Sequence, residues 1–318
     1  MASPSDSQTT RPRPAALFKY LAPKRLEALE GWLRCSPSVV LNDVFEMTIN
    51  YAAWSTPAEL EAHVQERWPS QLEAIKRRTI EASAPMLDLI TQRTGLSRDQ
   101  IMALPVVRDG LEEILRPFQN ATPFVAKALD QLLPTINDRL HLFIADNIGA
   151  VSFSEDPDSL LMWAHYGAKH QGYVIEYLPE HEWFDQRVSP DDEYDWLRPV
   201  RYQQARAALV ATQSSGDDMF LTKSSDWEYE REWRVLFLLK DCEVHELDSD
   251  GVPVHRVRVP RQAMKRVILG CRMTPETRRA ALEHAAGLEV HEAVPHKDRY
   301  AVEIRPLANR PPDARTVR

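Results

Sequence analysis

The chain has 318 residues, 43% hydrophobic and 27% charged, enough to bury a sizeable core in one large domain or two small ones. Its formal charge of -8 supplies no general attraction to nucleic acid or an anionic membrane, so neither is an expected partner. Cys35, Cys242 and Cys271 are odd in number, far apart and in no paired spacing, which argues against a disulfide framework or a zinc knuckle and fits a reducing cytoplasm.

Residues 1–14 are polar and rich in Ser, Thr, Pro and Arg, lack the apolar stretch of a secretory signal, and read as a disordered tail, as do residues 309–318. No apolar run approaches the length of a membrane span. Leu17-Phe-Lys-Tyr20 predicts a short strand. Pro23 then predicts a helix start with Leu26, Leu29 and Leu33 at helical spacing, and Ser38-Val-Val-Leu41 an extended return closed by an Asn42-Asp43 turn. From Thr56, with Pro57 as first helical residue, to about Asn147 the composition shifts to long helical stretches rich in Ala, Leu, Glu, Gln and Arg, interrupted by prolines such as Pro69, Pro85, Pro105 and Pro134. This stretch, about 56–147, reads as a helical insertion.

Beyond Ala150 the pattern is mixed, with strands expected over 151–154, 173–177, 200–202, 232–239, 254–259, 267–270, 289–292 and 299–304, and helices over 158–170 and 275–286. Strands and helices do not alternate regularly, and neither GxGxxG nor GxxxxGK[ST] follows a strand, which argues against a dinucleotide-binding Rossmann domain or a P-loop. The expected class is α+β, a mixed or antiparallel sheet core with a helical insertion, forming a single domain over 15–308.

Two segments concentrate polar chemistry. In Val151-Ser-Phe-Ser154 the strand period sends Ser152 and Ser154 to one face, where they either line a cleft or form a wet face from which Ser154 caps the next turn. On the following helix Trp163 and Tyr166 share a face, while His165 lies near the opposite one. His165 is a candidate acid or base, or a structural histidine, and it diverges from His170, so no metal is expected there. In Glu230-Arg-Glu232-Trp-Arg234, a strand starting at Glu230 would put 230, 232 and 234 on one face at about 7 Å steps. Two carboxylates beside an arginine either split their pKa values for acid/base or cation-stabilising work, or form a salt-bridge ladder. Trp227, with Tyr229 and Trp233, offers a stacking surface or a core edge.

In order, Leu17-Phe-Lys-Tyr20, Leu41-Asn-Asp-Val-Phe-Glu46, Ser152-Phe-Ser-Glu155, Leu161-Met-Trp-Ala-His-Tyr166 with His170 and Gly172, and the stretch from Lys223 to Arg234 resemble the bacterial domain of unknown function 2971 family. Val44 stands where that family has a proline, and the resemblance brings no assigned reaction. The order of a basic residue, Ser-x-Ser and Glu-x-Glu also resembles the arginine-type mono-ADP-ribosyltransferases, with Lys19 in place of an arginine and Phe153 in place of a threonine. That resemblance implies that Lys19, Ser152 and Ser154 hold NAD, that Glu232 steadies an oxocarbenium-like ribose and that Glu230 helps activate the acceptor.

The expected site is therefore a cleft with Glu232, Glu230 and His165 in catalytic roles and Lys19, Tyr20, Ser152, Ser154, Trp163, Tyr166, Lys223, Trp227 and Arg234 around a small-molecule or nucleotide ligand, NAD being the candidate, with no metal. A non-catalytic ligand-sensing or partner-binding module is the alternative. A metal-dependent hydrolase or nuclease ranks below both, since no compact ligand set is visible.

Overall fold

The computed structural model describes residues 11–116, 122–206 and 208–307. The expected tails at 1–10 and 309–318 lie outside the described residues. Residues 11–14 are irregular, and there Arg11 pairs with Glu155 at 2.7 Å and Arg13 donates to the Phe184 carbonyl at 3.1 Å.

In chain order the strands are β1 (Leu17–Leu21), β2 (Trp32–Arg34), β3 (Ser36–Pro37), β4 (Tyr51–Ala53), β5 (Ile148–Ser154), β6 (Tyr173–Tyr177), β7 (Leu197–Pro199) and β8 (Arg201–Gln203). They continue with β9 (Leu209–Val210), β10 (Thr222–Ser224), β11 (Glu232–Leu238), β12 (Glu243–Leu247), β13 (Pro253–Arg258), β14 (Met264–Leu269), β15 (Glu289–Pro295) and β16 (Val302–Pro306). The helices are α1 (Pro57–Ala82), α2 (Ala84–Thr94), α3 (Arg98–Met102), α4 (Pro105–Leu115), α5 (Thr122–Asn147), α6 (Leu160–His165), α7 (Gly216–Phe220) and α8 (Pro275–His284). The chain divides into two compact units, one of Met1–Thr48, His141–Arg206 and Ser215–Arg318, the other of Ile49–Leu140 and Ala207–Ser214.

The first unit is α+β. Its main sheet runs β16-β15-β14-β6-β1-β5-β11-β7, with the short β3 also on β5. Every pair is antiparallel except β14–β15, where α8 supplies the crossover that a parallel connection requires. β6, Tyr-Val-Ile-Glu-Tyr, is buried at all five positions because β1 and β14 flank it and both faces are covered. Strand alternation sorts the core: Leu17, Phe153, Tyr173, Ile175, Trp233 and Val235 belong to one apolar cluster, and Phe18, Tyr20, Val174 and Ile268 to another with Met162 and Trp163 of α6.

Several elements differ from their sequence reading. The helix expected after Pro23 is a 3-10 turn, Leu26–Glu30, ended by Gly31 at φ +101°, so Leu33 is buried from strand β2 and not from a helix. The extended return at 38–41 is likewise a 3-10 turn, Ser38–Val40. The helix expected over 158–170 stops at His165, because Ala168, Lys169 and His170 all take positive φ to bring Gly172 against β1, where an added Cβ would lie 2.0 Å from the Leu21 carbonyl oxygen. The strand expected at 200–202 is β8, which begins one residue later at Arg201, and Val200, whose N–H bonds to the Glu232 carbonyl, separates it from β7, an unexpected strand of the main sheet.

The second unit carries α1 to α4, most of α5 and the parallel pair β4–β9. Thr56 and Glu59 form a reciprocal capping box at the start of α1. Pro85 and Pro105 open helices, whereas Pro69 and Pro134 sit inside α1 and α5 without ending them. Among the described residues no helix is long and apolar enough to cross a membrane.

Candidate functional site

Residues facing each other across an antiparallel pair share a side of the sheet. The β5–β11 register therefore sets Ser154 beside Glu232 and Ser152 beside Arg234, with Phe18 opposite Ser154 on the other flank. β1 and β5 share only the Phe18–Ser154 register pair, and Lys19 Nζ uses the interval beyond it to donate to the Ser152 carbonyl at 2.6 Å. A cavity of about 260 Å³ opens here, lined among others by Lys19, Tyr20, Ser152, Ser154, Tyr166, Lys223, Glu230 and Glu232.

Glu230 reaches this cavity by a route other than the expected one. It ends the 3-10 turn Ser225–Glu230, Arg231 takes φ +44°, and β11 begins only at Glu232. The left-handed residue reverses the chain direction locally and aims both carboxylates at Lys223, whose Nζ lies 2.7 Å from Glu230 Oε2 and 3.3 Å from Glu232 Oε2. Arg234 grips Glu232 Oε1 through Nε at 2.9 Å and Nη2 at 2.7 Å, donates to the Phe220 carbonyl at 2.7 Å, and pairs with Glu46 Oε1. Glu46 Oε2 is 3.3 Å from Lys223 Nζ, an ionic contact that lacks hydrogen-bond alignment. Tyr166 donates to Glu230 Oε1 at 2.5 Å and accepts from Asn42 Nδ2 at 2.9 Å. The Glu232 N–H donates to the Tyr202 hydroxyl at 2.8 Å.

Three buried carboxylates thus face two buried cations, and Lys19 balances the set. Burial pushes the Glu232 carboxyl up, but Arg234 and Lys223, joined by a Ser152 hydrogen bond, outweigh it and bring the group down to about 2. For Glu230 burial prevails over Lys223 and, with the Glu232 charge, leaves it above the ordinary carboxylate value. Burial lowers Lys19 to about 8 against the attraction of Glu232. Burial and Glu230 together raise the Tyr166 hydroxyl, while for Lys223 and Arg234 the carboxylates overcome burial and hold both charged. The arrangement offers one carboxylate fixed as an anion, a neighbour whose protonated form burial favours more than usual, and an ammonium lowered to about 8.

Four other expected residues, Trp163, His165, Trp227 and Arg234, lie outside the cavity lining. Trp163 is fully buried in the core, with its ring N–H donated to the Pro157 carbonyl, so it has no surface for a ligand. His165 is exposed, 6.2 Å from the Tyr229 ring and outside the cavity lining. Trp227 is half-buried, with Lys223 Nζ 5.0 Å from its centroid, and backs the ammonium without lining the cavity. Arg234 lies beneath the cavity and acts through Glu232. The Tyr20 hydroxyl is committed to the Asp156 carbonyl at 2.6 Å, and Ser154 Oγ accepts from the Asp156 N–H at 3.1 Å while also lining the cavity, so the capping and cleft readings of Ser154 both hold.

Sequence reasoning missed Glu46, Asn42 and Tyr202. Asn42 and Glu46 belong to the Leu41-Asn-Asp-Val-Phe-Glu46 segment that carried the family resemblance, which was the available signal; Tyr202 had none. Among the described residues no group of three or more His, Cys, Asp or Glu side chains is placed to hold a metal, and Lys223 occupies the point on which the three glutamates converge.

Neither the curated proteins nor the solved structures include a match to the chain. Residues 162–235, the stretch that contributes Tyr166, Lys223, Glu230, Glu232 and Arg234, match the family model described as Protein of unknown function (DUF2971).

Proposed function

We propose that the cavity between β1, β5 and β11 is an active site for a nucleotide-class ligand, with NAD the first candidate and ADP-ribosyl transfer the reaction type. The observation that carries this reading is the gathering of Lys19, Ser152, Ser154, Glu230 and Glu232, remote in sequence, around one cavity. A carboxylate held ionised in a site poor in water stabilises a developing positive charge strongly, since its orientation is already fixed. Glu232 would face the ribose as its C1′–nitrogen bond breaks and the electron pair leaves with the nicotinamide. An acceptor then bonds to C1′, and Glu230, raised above the ordinary carboxylate value by burial and hydrogen-bonded to Tyr166, takes the acceptor's proton. Lys19 supplies positive charge for the diphosphate. At about 260 Å³ the cavity falls below the roughly 300–1,000 Å³ usual for a drug-sized ligand, so it suits the reacting half of a dinucleotide, with the rest extending through the opening.

A non-catalytic binding pocket is the second reading, favoured by the fact that both Glu232 oxygens are already engaged by Arg234 and Lys223. Calorimetry with NAD and related nucleotides, beside an assay of NAD consumption, separates the two. Under the enzymatic reading Glu232→Gln, which melts lower because it takes one charge from a buried ion-pair set, still binds below its melting transition and turns over about a hundredfold more slowly or worse. Binding without consumption by wild type selects the sensing pocket. Neither binding nor consumption of any nucleotide overturns both.

A further inference from the structure

We propose that a second cavity, formed where β14 ends and where β15 turns into β16, binds a phosphate-bearing small ligand of the nucleoside phosphate class. It has a volume of about 530 Å³, shares no lining residue with the first, and rests on observations independent of the proposed reaction. Arg272, Lys297 and Arg299 line it, and among the described residues none of the three forms a close ion pair, although Arg299 lies near enough to Glu303 to help lower its carboxyl. Asp298 is the only carboxylate in the lining.

The contrast with the surroundings is what makes these charges informative. On the same strands Arg266 pairs with Glu176, Arg305 with Glu303 at 2.6 Å, and nearby Arg278 with Glu292 at 2.8 Å. The cations at this end of the sheet are neutralised outside the cavity and left open within it. Two guanidiniums and an ammonium around one concavity match the spread charge and paired oxygens of a phosphate or diphosphate.

Two further features define the ligand. The His170 ring lines the cavity and is stacked on Trp163 at 5.7 Å and 6°, so it cannot turn freely. Tyr300 is fully exposed at the rim, an unused aromatic face on which a base can stack. The loop between them is set in advance: the His296 N–H bonds to the Ala301 carbonyl at 2.9 Å, the Asp298 N–H to His296 Nδ1 at 3.0 Å, and the Arg272 N–H to the His170 carbonyl at 2.9 Å. A preformed cationic hollow with an aromatic rim fits a nucleotide better than a bare anion.

The exposed thiol of Cys271 lines the same cavity and reports occupancy directly, whereas Cys35 is buried and distinguishable by peptide mapping. The full chain would be alkylated with iodoacetamide in the presence of ADP, inorganic phosphate or adenosine, with calorimetry in parallel. The expected result is that ADP slows alkylation of Cys271, phosphate does so more weakly, adenosine binds at least about tenfold less tightly than ADP, and added salt weakens ADP binding. Arg272→Gln with Arg299→Gln, two exposed positions whose loss leaves the core intact, should raise the ADP concentration that protects Cys271 about tenfold or more, while Glu232→Gln keeps that protection. Unchanged Cys271 alkylation with ADP and phosphate, or protection of Cys271 by ADP in the double variant equal to that in wild type, overturns the proposal. Either outcome is separate from the fate of the first cavity, which contains no cysteine among its lining residues.

Discussion

Arg234 has no exposed surface and still carries a full charge, because Glu232, Glu46 and the Phe220 carbonyl satisfy its guanidinium from three directions. Removing it would leave three buried carboxylates, Glu46, Glu230 and Glu232, facing Lys223 alone. Arg234→Met should therefore cost about 3–5 kcal/mol in urea unfolding, the scale of stranding buried charge, and Arg234→Lys should recover little, since an ammonium cannot reproduce the fork. The titration signs are separable as well. The Glu232 value falls from the ordinary carboxylate range to about 2 on folding, so its stabilisation is present at neutral pH and is lost as pH drops from about 4.5 toward 2. Lys19 moves the other way: with a folded value of about 8 against 10.5, the native state releases its proton first, and stability contributed by this group rises between about pH 8 and 10.5. Ligand phosphate, by contrast, should bind more weakly as pH rises through about 8 and the ammonium discharges; an affinity flat from pH 7 to 9 would remove Lys19 from the ligand contact. The Glu232–Arg234 pairing was legible from the two-residue strand period. Its third member, Glu46, was not, because nothing in a linear sequence states which distant turn closes over a strand.

At the level of elements, the bend at Arg231 decides whether Glu230 belongs to the site. Read as a strand from Glu230, the sequence gives the right neighbours by the wrong geometry: a continuous strand would hold Glu230 and Glu232 a strand-step apart, whereas the 3-10 turn and φ +44° fold both onto one ammonium. Arg231 itself is half-exposed and pairs with Glu155 at 2.7 Å and Asp156 at 3.0 Å, surface contacts worth little in stability. Its backbone is the more demanding feature. Arg231→Val, β-branched in a left-handed conformation, should destabilise by about 1–2 kcal/mol and weaken ligand binding as Glu230 is displaced, while Arg231→Gly or Arg231→Asn should bind as wild type. Equal binding by all three variants would show that Glu230 does not depend on the bend. The same blindness explains the misread stretches at 26–30, 38–40 and 166–170: their apolar spacing fits a helix or strand, but the chain uses 3-10 turns and positive φ to enter a sheet whose partners are far away in sequence. β6 was readable because five buried, mostly β-branched and aromatic residues leave one option.

For the molecule as a whole, the two units differ in how much apolar surface they bury, and this sets their local stability. The first unit holds two clusters that include wholly buried Leu17, Tyr173, Ile175, Val235 and Val267, and its central strands β6, β1 and β5 are paired on both sides. Among the described residues of the second unit, six apolar side chains, Ile49, Val64, Leu87, Ile101, Leu115 and Leu133, are buried, while Met86, Leu89, Ile114 and Phe124 are exposed. The shift in composition toward Ala, Leu, Glu and Arg begins at Thr56, inside this unit and not at its start, Ile49. It could not show that the short stretch Leu209–Val210 returns to pair with Tyr51–Ala53. Native-state hydrogen exchange should accordingly divide the chain: amides of β6 and β11 exchange only through global unfolding, with a urea dependence equal to that of the whole protein. Amides of α1 to α4 should exchange by a cheaper opening with a smaller urea dependence, because fewer buried contacts must be broken to release them. Identical protection free energies and urea slopes for β6 and for α1 would mean that the helical region opens only with the sheet, and that the two compact units form a single cooperative one.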